Sequence, residues 1–231
     1  MKIKKSDIVV LLPAFNEEQV IGNVLSDIQK EGYENICVID DGSSDRTYEI
    51  AQSHGVNVLR HPINRGAGAA MQTGIEYVKM TNGQYLLCMD SDGQHAPDDI
   101  TALINKMYES KADIVIGNRF MSDANDIPET RKFYNSIANI FTNVLCKNNY
   151  SDTQSGFRLL NRKAIETLNL GSRGFGFCSE MIILGEQIGL KIEQVPIKVV
   201  YTKYSMNKGQ NFLEGVRTAK DILWQKYFES S

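Results

Sequence analysis

Asp90 and Asp92, two carboxylates separated by one serine, are the residues of this 231-residue chain best suited to chemistry. At a strand end such a pair can converge on one hard cation, with Gln94 offering an amide oxygen. Magnesium or manganese takes few carboxylates and completes its shell with water and phosphate oxygens. That arrangement can hold a diphosphate while it becomes a leaving group. Two further polar turns accompany the pair: Pro13-Ala14-Phe15-Asn16-Glu17, and Asp40-Asp41-Gly42-Ser43-Ser44-Asp45. Asp, Asn and Gly make good turns on their own account. Three such turns, each directly after an apolar run, call for a ligand as well.

Competing motifs fail on spacing. A calcium EF-hand loop needs glycine at its sixth position, and Gly93 is fourth from Asp90. A phosphatase of the haloacid dehalogenase type carries its Asp-x-Asp at the first strand, usually with Thr or Val close behind. Here the pair lies mid-chain and Gln94 and His95 follow. Gly66-Ala67-Gly68 is no dinucleotide fingerprint, because Met71 stands where the third glycine belongs and no strand directly precedes it. There is no G-K-[ST] of a phosphate-binding loop. His95 reads as a turn residue, not as a base.

The elements that must position these turns follow from periodicity. Ile8–Leu12 reads as a buried strand, followed by a helix whose face is Val20, Ile21, Val24, Leu25 and Ile28. Ile36–Ile39 is a second strand. Ser43 or Ser44 can cap the next helix, which runs to His54 and stops at Gly55. Val56–Leu59 is a short strand. Glycine-rich 66–74 leads into a helix ended by Asn82-Gly83, with Gly66 and Gly68 letting that helix start close to a nucleotide. Tyr85–Met89 is the next strand. Pro97 opens a helix with the face Ile100, Leu103, Ile104 and Met107, and Asp98 and Asp99 suit its dipole. Ala112–Ile116 is another strand. Later elements are a helix near 133–147, a helix near 179–189 and a strand at 192–201. Alternation of this kind predicts an α/β fold with a mainly parallel sheet flanked by helices. In such a sheet ligands bind beyond the carboxyl ends of the strands, where the three polar turns lie.

Composition bounds the function. The formal net charge of −3 argues against a nucleic-acid binder. Cys37, Cys88, Cys146 and Cys178 have no C-x-x-C spacing and read as reduced, cytosolic thiols serving as small hydrophobes. The N-terminal apolar run Ile8–Leu12 stops at Pro13, too short for a signal peptide core or a membrane span. The chain is expected to be cytoplasmic, or peripheral on the cytoplasmic membrane face.

Taken in order, PAFNE (13–17), DDGSSDRT (40–47), NRGAGAAMQTG (64–74), DSDGQH (90–95), GNR (117–119) and QSGFR (154–158) resemble the family 2 glycosyltransferases of the GT-A fold. The branch of dolichyl-phosphate mannose and polyprenyl-phosphate glucose synthases is the most similar, over roughly residues 7–208. The resemblance implies that Pro13, Phe15, Glu17, Ile39 and Asp41 line a base and ribose pocket. Asp90, Ser91, Asp92 and Gln94 would handle the diphosphate and Mg2+ or Mn2+. Arg119, Arg131, Lys203 and Lys208 match basic positions that grip donor and acceptor phosphates; the alternative for each is a solvated surface charge. Where the family has serine four residues after that arginine, this chain has Asn135, which can still donate a hydrogen bond. Arg158 either enters the site or pairs structurally.

One domain over 1–231 is expected, with a nucleotide-sugar half (about 7–120), a looser acceptor half (about 121–208) and a C-terminal amphipathic helix (209–231). Phe212, Val216, Ala219, Leu223 and Tyr227 share one face of that helix, which suits a membrane surface, a partner such as a separate membrane subunit, or the chain's own fold. The implied reaction is inverting transfer from a nucleotide-diphosphate sugar to a polyprenyl phosphate. A phosphomonoester has a second pKa near ~6 and needs no general base. A sugar-hydroxyl acceptor would need one, for which Glu180 is the candidate. The remaining alternative, a non-catalytic nucleotide-sugar binding subunit, sits poorly with an intact Asp90/Asp92 pair.

Overall fold

The computed structural model describes residues 3–122, 125–172, 174 and 176–200. Its strands are β1 (Ile8–Ala14), β2 (Ile36–Asp40), β3 (Asn57–Arg60), β4 (Tyr85–Cys88), β5 (Ile114–Asn118), β6 (Arg158–Asn161) and β7 (Ile192–Pro196). Its helices are α1 (Ile21–Lys30), α2 (Thr47–Ser53), α3 (Ala67–Met80), α4 (Ile100–Ser110), α5 (Glu129–Val144), α6 (Arg162–Thr167) and α7 (Phe177–Gln187). The strands form one sheet in the order β3-β2-β1-β4-β6-β5-β7. Every pairing is parallel except the two made by β6, which lies antiparallel between β4 and β5.

The apolar runs are continuous because the sheet is covered on both faces. In β1 the side chains of Ile8, Val10 and Leu12 join one core with α1 and α4, while Leu11 joins the other with α3, α6 and α7. Each such fully buried Ile or Leu contributes about 1.5–3 kcal/mol. On α1 the buried residues are Ile21, Val24, Leu25 and Ile28, the spacing that predicted the helix. Cys37 and Cys88 are core residues, and burial pushes both thiols up to about 12, so they stay protonated and inert.

Several boundaries differ from expectation. Neither Ser43 nor Ser44 caps α2. Ser43 Oγ instead accepts from Asn16 N–H at 2.9 Å, tying the first two polar turns together. The helix starts at Thr47, whose N–H is taken by Asp45 Oδ1 at 3.0 Å. Strand β5 begins two residues later than the apolar run, at Ile114. Helix α5 starts at Glu129, after Pro128, and ends at Val144. Strand β7 stops at Pro196, where a ladder donor is lost. Gly66 takes φ 93° at the start of α3, but a Cβ on Gly68 would collide with the carbonyl of Ser172. Gly68 therefore clears the chain between α6 and α7, not a nucleotide. The 209–231 helix lies outside the described residues.

The order of strands positions the site. The chain winds outward from β1 through β2 to β3, then returns to β4 on the other side of β1. The crevice at that reversal is where open α/β sheets bind ligands. Because β6 runs antiparallel, its first residue, Arg158, pairs with Cys88 at the carboxyl end of β4 and with Ile116 in the middle of β5. The segment before β6 is thereby delivered to the same edge.

Candidate active site

Asp90 and Asp92 leave the end of β4 in a turn held from several sides. Ser91 Oγ donates to the carbonyl of Pro13 at 2.7 Å, joining the β4 turn to the β1 turn across the reversal point. Gly93 adopts φ 76°, a left-handed conformation that glycine takes without steric cost. Asp92 Oδ1 accepts from Gln94 N–H at 3.0 Å, and the Gln94 side-chain amide donates to Asp92 Oδ2. Gln94 thus turns its amide nitrogen, not its oxygen, toward Asp92. Behind Asp90 stands Gly156, where any Cβ would collide with the Asp90 carboxylate. The glycine of the QSGFR motif is there to admit that carboxylate.

His95 is more than a turn residue. It is buried, its ring stacks on Phe157 at 5.0 Å, and Nε2 lies 3.0 Å from Asp90 Oδ2. Its backbone bridges to Val199, and Val200 N–H donates to the Gln94 carbonyl at 3.0 Å. The chain that leads toward Lys203 is therefore fastened to the Asp90–His95 turn.

Burial alone would push the Asp90 carboxyl up, but the His95 bond and the charges of His95, Arg119 and Arg158 outweigh it and hold it below the usual range. Asp92 moves the other way, raised by burial first and then by the charge of Asp90. The Asp90 side chain keeps 48% of its surface accessible at this recessed position. Asp90 is thus kept ionised, and Asp92 is the under-compensated member of a reachable pair of carboxylates, which fits a divalent cation. Among the described residues no cluster of three or more His, Cys, Asp or Glu could hold a metal. A Mg2+ or Mn2+ ion held here would draw its remaining ligands from water and phosphate oxygens.

The two arginines of this edge are buried. Arg119 follows β5 and forms a two-pronged ion pair with Asp152, Nε to Oδ2 at 2.8 Å and Nη2 to Oδ1 at 2.7 Å. Its backbone N–H also donates to Asp152 Oδ2 at 3.0 Å. The reading of Arg119 as a solvated surface charge is thereby excluded. Arg158 is fully buried and donates to the carbonyls of Ser155, Cys178 and Thr153 at 2.7–2.9 Å. Its role is to lock the 153–158 turn and to lend positive charge to Asp90.

On the nucleotide side, Phe15 exposes much of its ring, Glu17 is buried, and Glu17 N–H is held by Thr47 Oγ1 at 2.7 Å. Ile39 is fully buried among the α3-side core, because strand alternation points it there. Its side chain belongs to the core and not to a pocket. Asp41 accepts from Arg65 N–H at 2.9 Å and Gly66 N–H at 2.7 Å. Arg131 stands in the first turn of α5, and Asn135, one turn on, is buried. Lys203 and Lys208 lie outside the described residues. Glu180 accepts from the backbone N–H groups of Gly171 and Ser172 at 2.7 and 2.9 Å, so both of its oxygens pin that loop. Sequence reasoning missed His61, Asp152 and the placement of Gly156; for Gly156 the glycine inside a polar motif was the available signal.

Comparison with known proteins agrees with this geometry. Residues 9–168 match the family described as Glycosyl transferase family 2. An uncharacterized protein of Methanocaldococcus jannaschii is 38% identical, over 98% of this chain and 95% of that protein. The UDP-N-acetylglucosamine–dolichyl-phosphate N-acetylglucosaminyltransferase of Methanococcus voltae is 32% identical, over 95% of this chain and 96% of that protein. The crystal structure of glucosyl-3-phosphoglycerate synthase from Mycobacterium tuberculosis with Mn2+, UDP-glucose and phosphoglyceric acid superposes with a TM-score of 0.69 at 20% identity, covering 93% of this chain and 78% of that one. With its reversal-point site and its motifs in order, the chain belongs to glycosyl transferase family 2 and is a glycosyltransferase of the GT-A fold.

Proposed function

We propose that this glycosyltransferase transfers a sugar, with inversion, from a UDP- or GDP-sugar to a polyprenyl or dolichyl phosphate. The observation that carries the reading is the reachable Asp90/Asp92 pair at the sheet reversal, two converging carboxylates that suit a cation carrying a diphosphate. The Methanococcus voltae relative, named for a dolichyl-phosphate acceptor and alike over nearly its whole length, supports the lipid phosphate. Asp90 and Asp92, with Gln94 orienting Asp92, would hold Mg2+ or Mn2+, which when bound supplies Lewis-acid stabilisation of the leaving diphosphate.

The protein's own groups do the rest. His95 and Gly156 fix the Asp90 carboxylate, and Gln94 fixes that of Asp92. Pro13, Phe15, Glu17 and Asp41 receive the nucleotide. Arg119, Arg131, Lys203 and Lys208 supply positive charge to the phosphates of donor and acceptor. The acceptor phosphate, mostly a dianion at neutral pH because its second pKa is near ~6, attacks the anomeric carbon from the face opposite the diphosphate. No protein base is required. The test is a panel of UDP- and GDP-sugars with and without polyprenyl phosphate, read by product mass. Transfer that ignores the lipid phosphate and requires a free sugar hydroxyl overturns the acceptor assignment.

Glu180 offers a direct comparison of the two acceptor classes. Both of its oxygens are occupied with backbone N–H groups, which favours a loop-holding role over proton abstraction. Glu180→Gln is expected to lower kcat modestly, whereas loss of a true base costs about 10²–10⁴-fold. Lys203→Ala or Lys208→Ala is expected to weaken the phosphate acceptor severely in at least one case. A dead Glu180→Gln beside two near-normal lysine variants points to a sugar hydroxyl.

A lipid acceptor requires contact with a bilayer, and among the described residues no helix is long and apolar enough to cross one. Peripheral contact is the reading that α5 supports. Phe133, Ile140 and Val144 share one side of it and are 62%, 63% and 76% exposed. Residues 133–146 carry no charge, with Arg131 and Lys132 before them and Lys147 after. The protein is expected to sediment with anionic vesicles, less as salt rises. Ile140→Asp with Val144→Asp, or deletion of 211–231, should reduce that binding. No binding at any salt would leave lipid delivery to a separate membrane subunit. The four cysteines, with no disulfide or metal spacing in the sequence, suit a reducing, cytoplasmic setting for the reaction.

A further inference from the structure

His61 belongs to none of the motifs above, yet it stands directly behind Asp41. It is buried; Nδ1 lies 2.6 Å from Asp41 Oδ1 and Nε2 lies 2.9 Å from Thr73 Oγ1 on α3. The carboxylate can only accept, which places a proton on Nδ1. Asp41 is 3% exposed, so its ionised form has lost nearly all its water and depends on protein donors. Three donors serve it: His61 and Arg65 N–H on Oδ1, and Gly66 N–H on Oδ2. The two backbone donors come from the turn that opens α3, and Thr73 sits two turns into the same helix. The ring is therefore clamped between the β2 turn and α3, and through it the Asp41 carboxylate is held in one orientation.

We infer that His61 is a positioning residue for nucleotide recognition, acting through Asp41. The inference rests on the reading that Asp41 receives the nucleotide. Asp41 can meet a nucleobase or ribose only as an acceptor, and an acceptor selects its ligand by where its lone pairs point. Without the ring, Oδ1 keeps Arg65 N–H and Oδ2 keeps Gly66 N–H, but the carboxylate loses its one side-chain donor and is held less firmly in that orientation. Binding of the donor then has to pay for fixing it, while the reacting centre at Asp90 and Asp92 is untouched. The signature is a change in nucleotide affinity without a change in turnover.

Asparagine and glutamine separate the two bonds of the ring. Asparagine sets its amide N–H near the Nδ1 position and can serve Asp41; glutamine reaches the Nε2 position and can serve Thr73 only. Dissociation constants for UDP and GDP by calorimetry, with kcat and donor KM, are measured for the wild type, His61→Asn, His61→Gln, His61→Ala, Thr73→Val and Asp41→Asn. Thr73 borders a cavity of about 280 Å³, so the near-isosteric valine is accommodated. Expected for His61→Ala and His61→Gln is a loss of about 10–100-fold in affinity for the preferred nucleotide, the size of one hydrogen bond to a charged group. His61→Asn should recover most of that loss, Thr73→Val should fall between, and kcat should hold in the His61 and Thr73 variants. If His61→Ala fails to fold, the Asn and Gln pair still decides. Equal affinity in those two, or tighter binding by glutamine, overturns the proposal. Should Asp41→Asn bind as tightly as the wild type, the nucleotide reading of Asp41 fails instead; weak binding by Asp41→Asn beside normal binding by every His61 variant sinks the positioning role alone.

Discussion

Asp92→Asn is expected to lower sugar transfer by about 10³-fold or more while leaving the protein folded, and a chelator should do the same to the wild type, reversibly on adding Mg2+ or Mn2+. Asparagine keeps the oxygen that accepts from Gln94 N–H and removes the charge; its amide nitrogen takes the place of Oδ2, so the Gln94 side-chain amide must turn its oxygen toward it. In the absence of cation that charge is a burden. The Asp92 carboxyl is raised by burial and by its neighbour Asp90, so its folded-state pKa lies above its unfolded one. A group of this kind takes stability away as pH rises through the interval between the two values, and the loss is complete above it. Asp92→Asn should therefore melt at or above the wild-type temperature at pH 7 in metal-free buffer. Adding Mn2+ with nucleotide should raise the wild-type melting temperature by mass action and raise the variant's by clearly less, since only its cation site is impaired. Full activity of the wild type in excess chelator, or an equal thermal shift in the variant, would remove the cation from the reaction.

The central strands and the three polar turns were legible because they depend on local pattern. Ile8–Leu12, Ile36–Ile39 and Tyr85–Cys88 lie in strands buried on both faces and read as unbroken apolar runs. Asp90 and Asp92 announced themselves by spacing. What escaped depends on partners far along the chain. Strand β6 has only four residues and begins with an arginine, so nothing in Arg158–Asn161 marks a strand buried in the middle of the sheet. The QSGFR motif could be matched to a family but not assigned a task. The task emerges once the antiparallel insertion sets Gly156 against Asp90 and ties Arg158 to carbonyls on both sides of it. His61 and Asp41 are 20 residues apart and Arg119 and Asp152 are 33 apart, pairings that a single sequence does not encode in any period. Ile39 failed for the opposite reason: the strand was read correctly, but the alternation within it points that side chain to the core.

The Arg119–Asp152 pair carries the second large expectation. Asp152 is fully buried and accepts three times from Arg119, twice from the guanidinium and once from its backbone N–H. Asp152→Ala strands a cation in a desolvated site, and breaking one side of a buried pair costs about 3–5 kcal/mol. For a chain of this size that is a fall of roughly 6–20 °C in melting temperature, measurable by calorimetry. Activity should fall with it, and that fall alone would not tell a structural arginine from a functional one. The double variant Arg119→Met with Asp152→Leu makes the distinction. Removing both charges of a buried pair for apolar groups of similar volume is often neutral or stabilising, so the double variant should recover part of the lost stability, less the cost of the residue 119 backbone N–H that Asp152 no longer accepts. If Arg119 serves only the fold, activity returns as well. We expect it not to return, because the Arg119 charge helps hold the Asp90 carboxyl in its ionised form and, on the proposed reading, stands at the edge that receives the donor and acceptor phosphates. A stable double variant with wild-type kcat would reduce Arg119 to a strut.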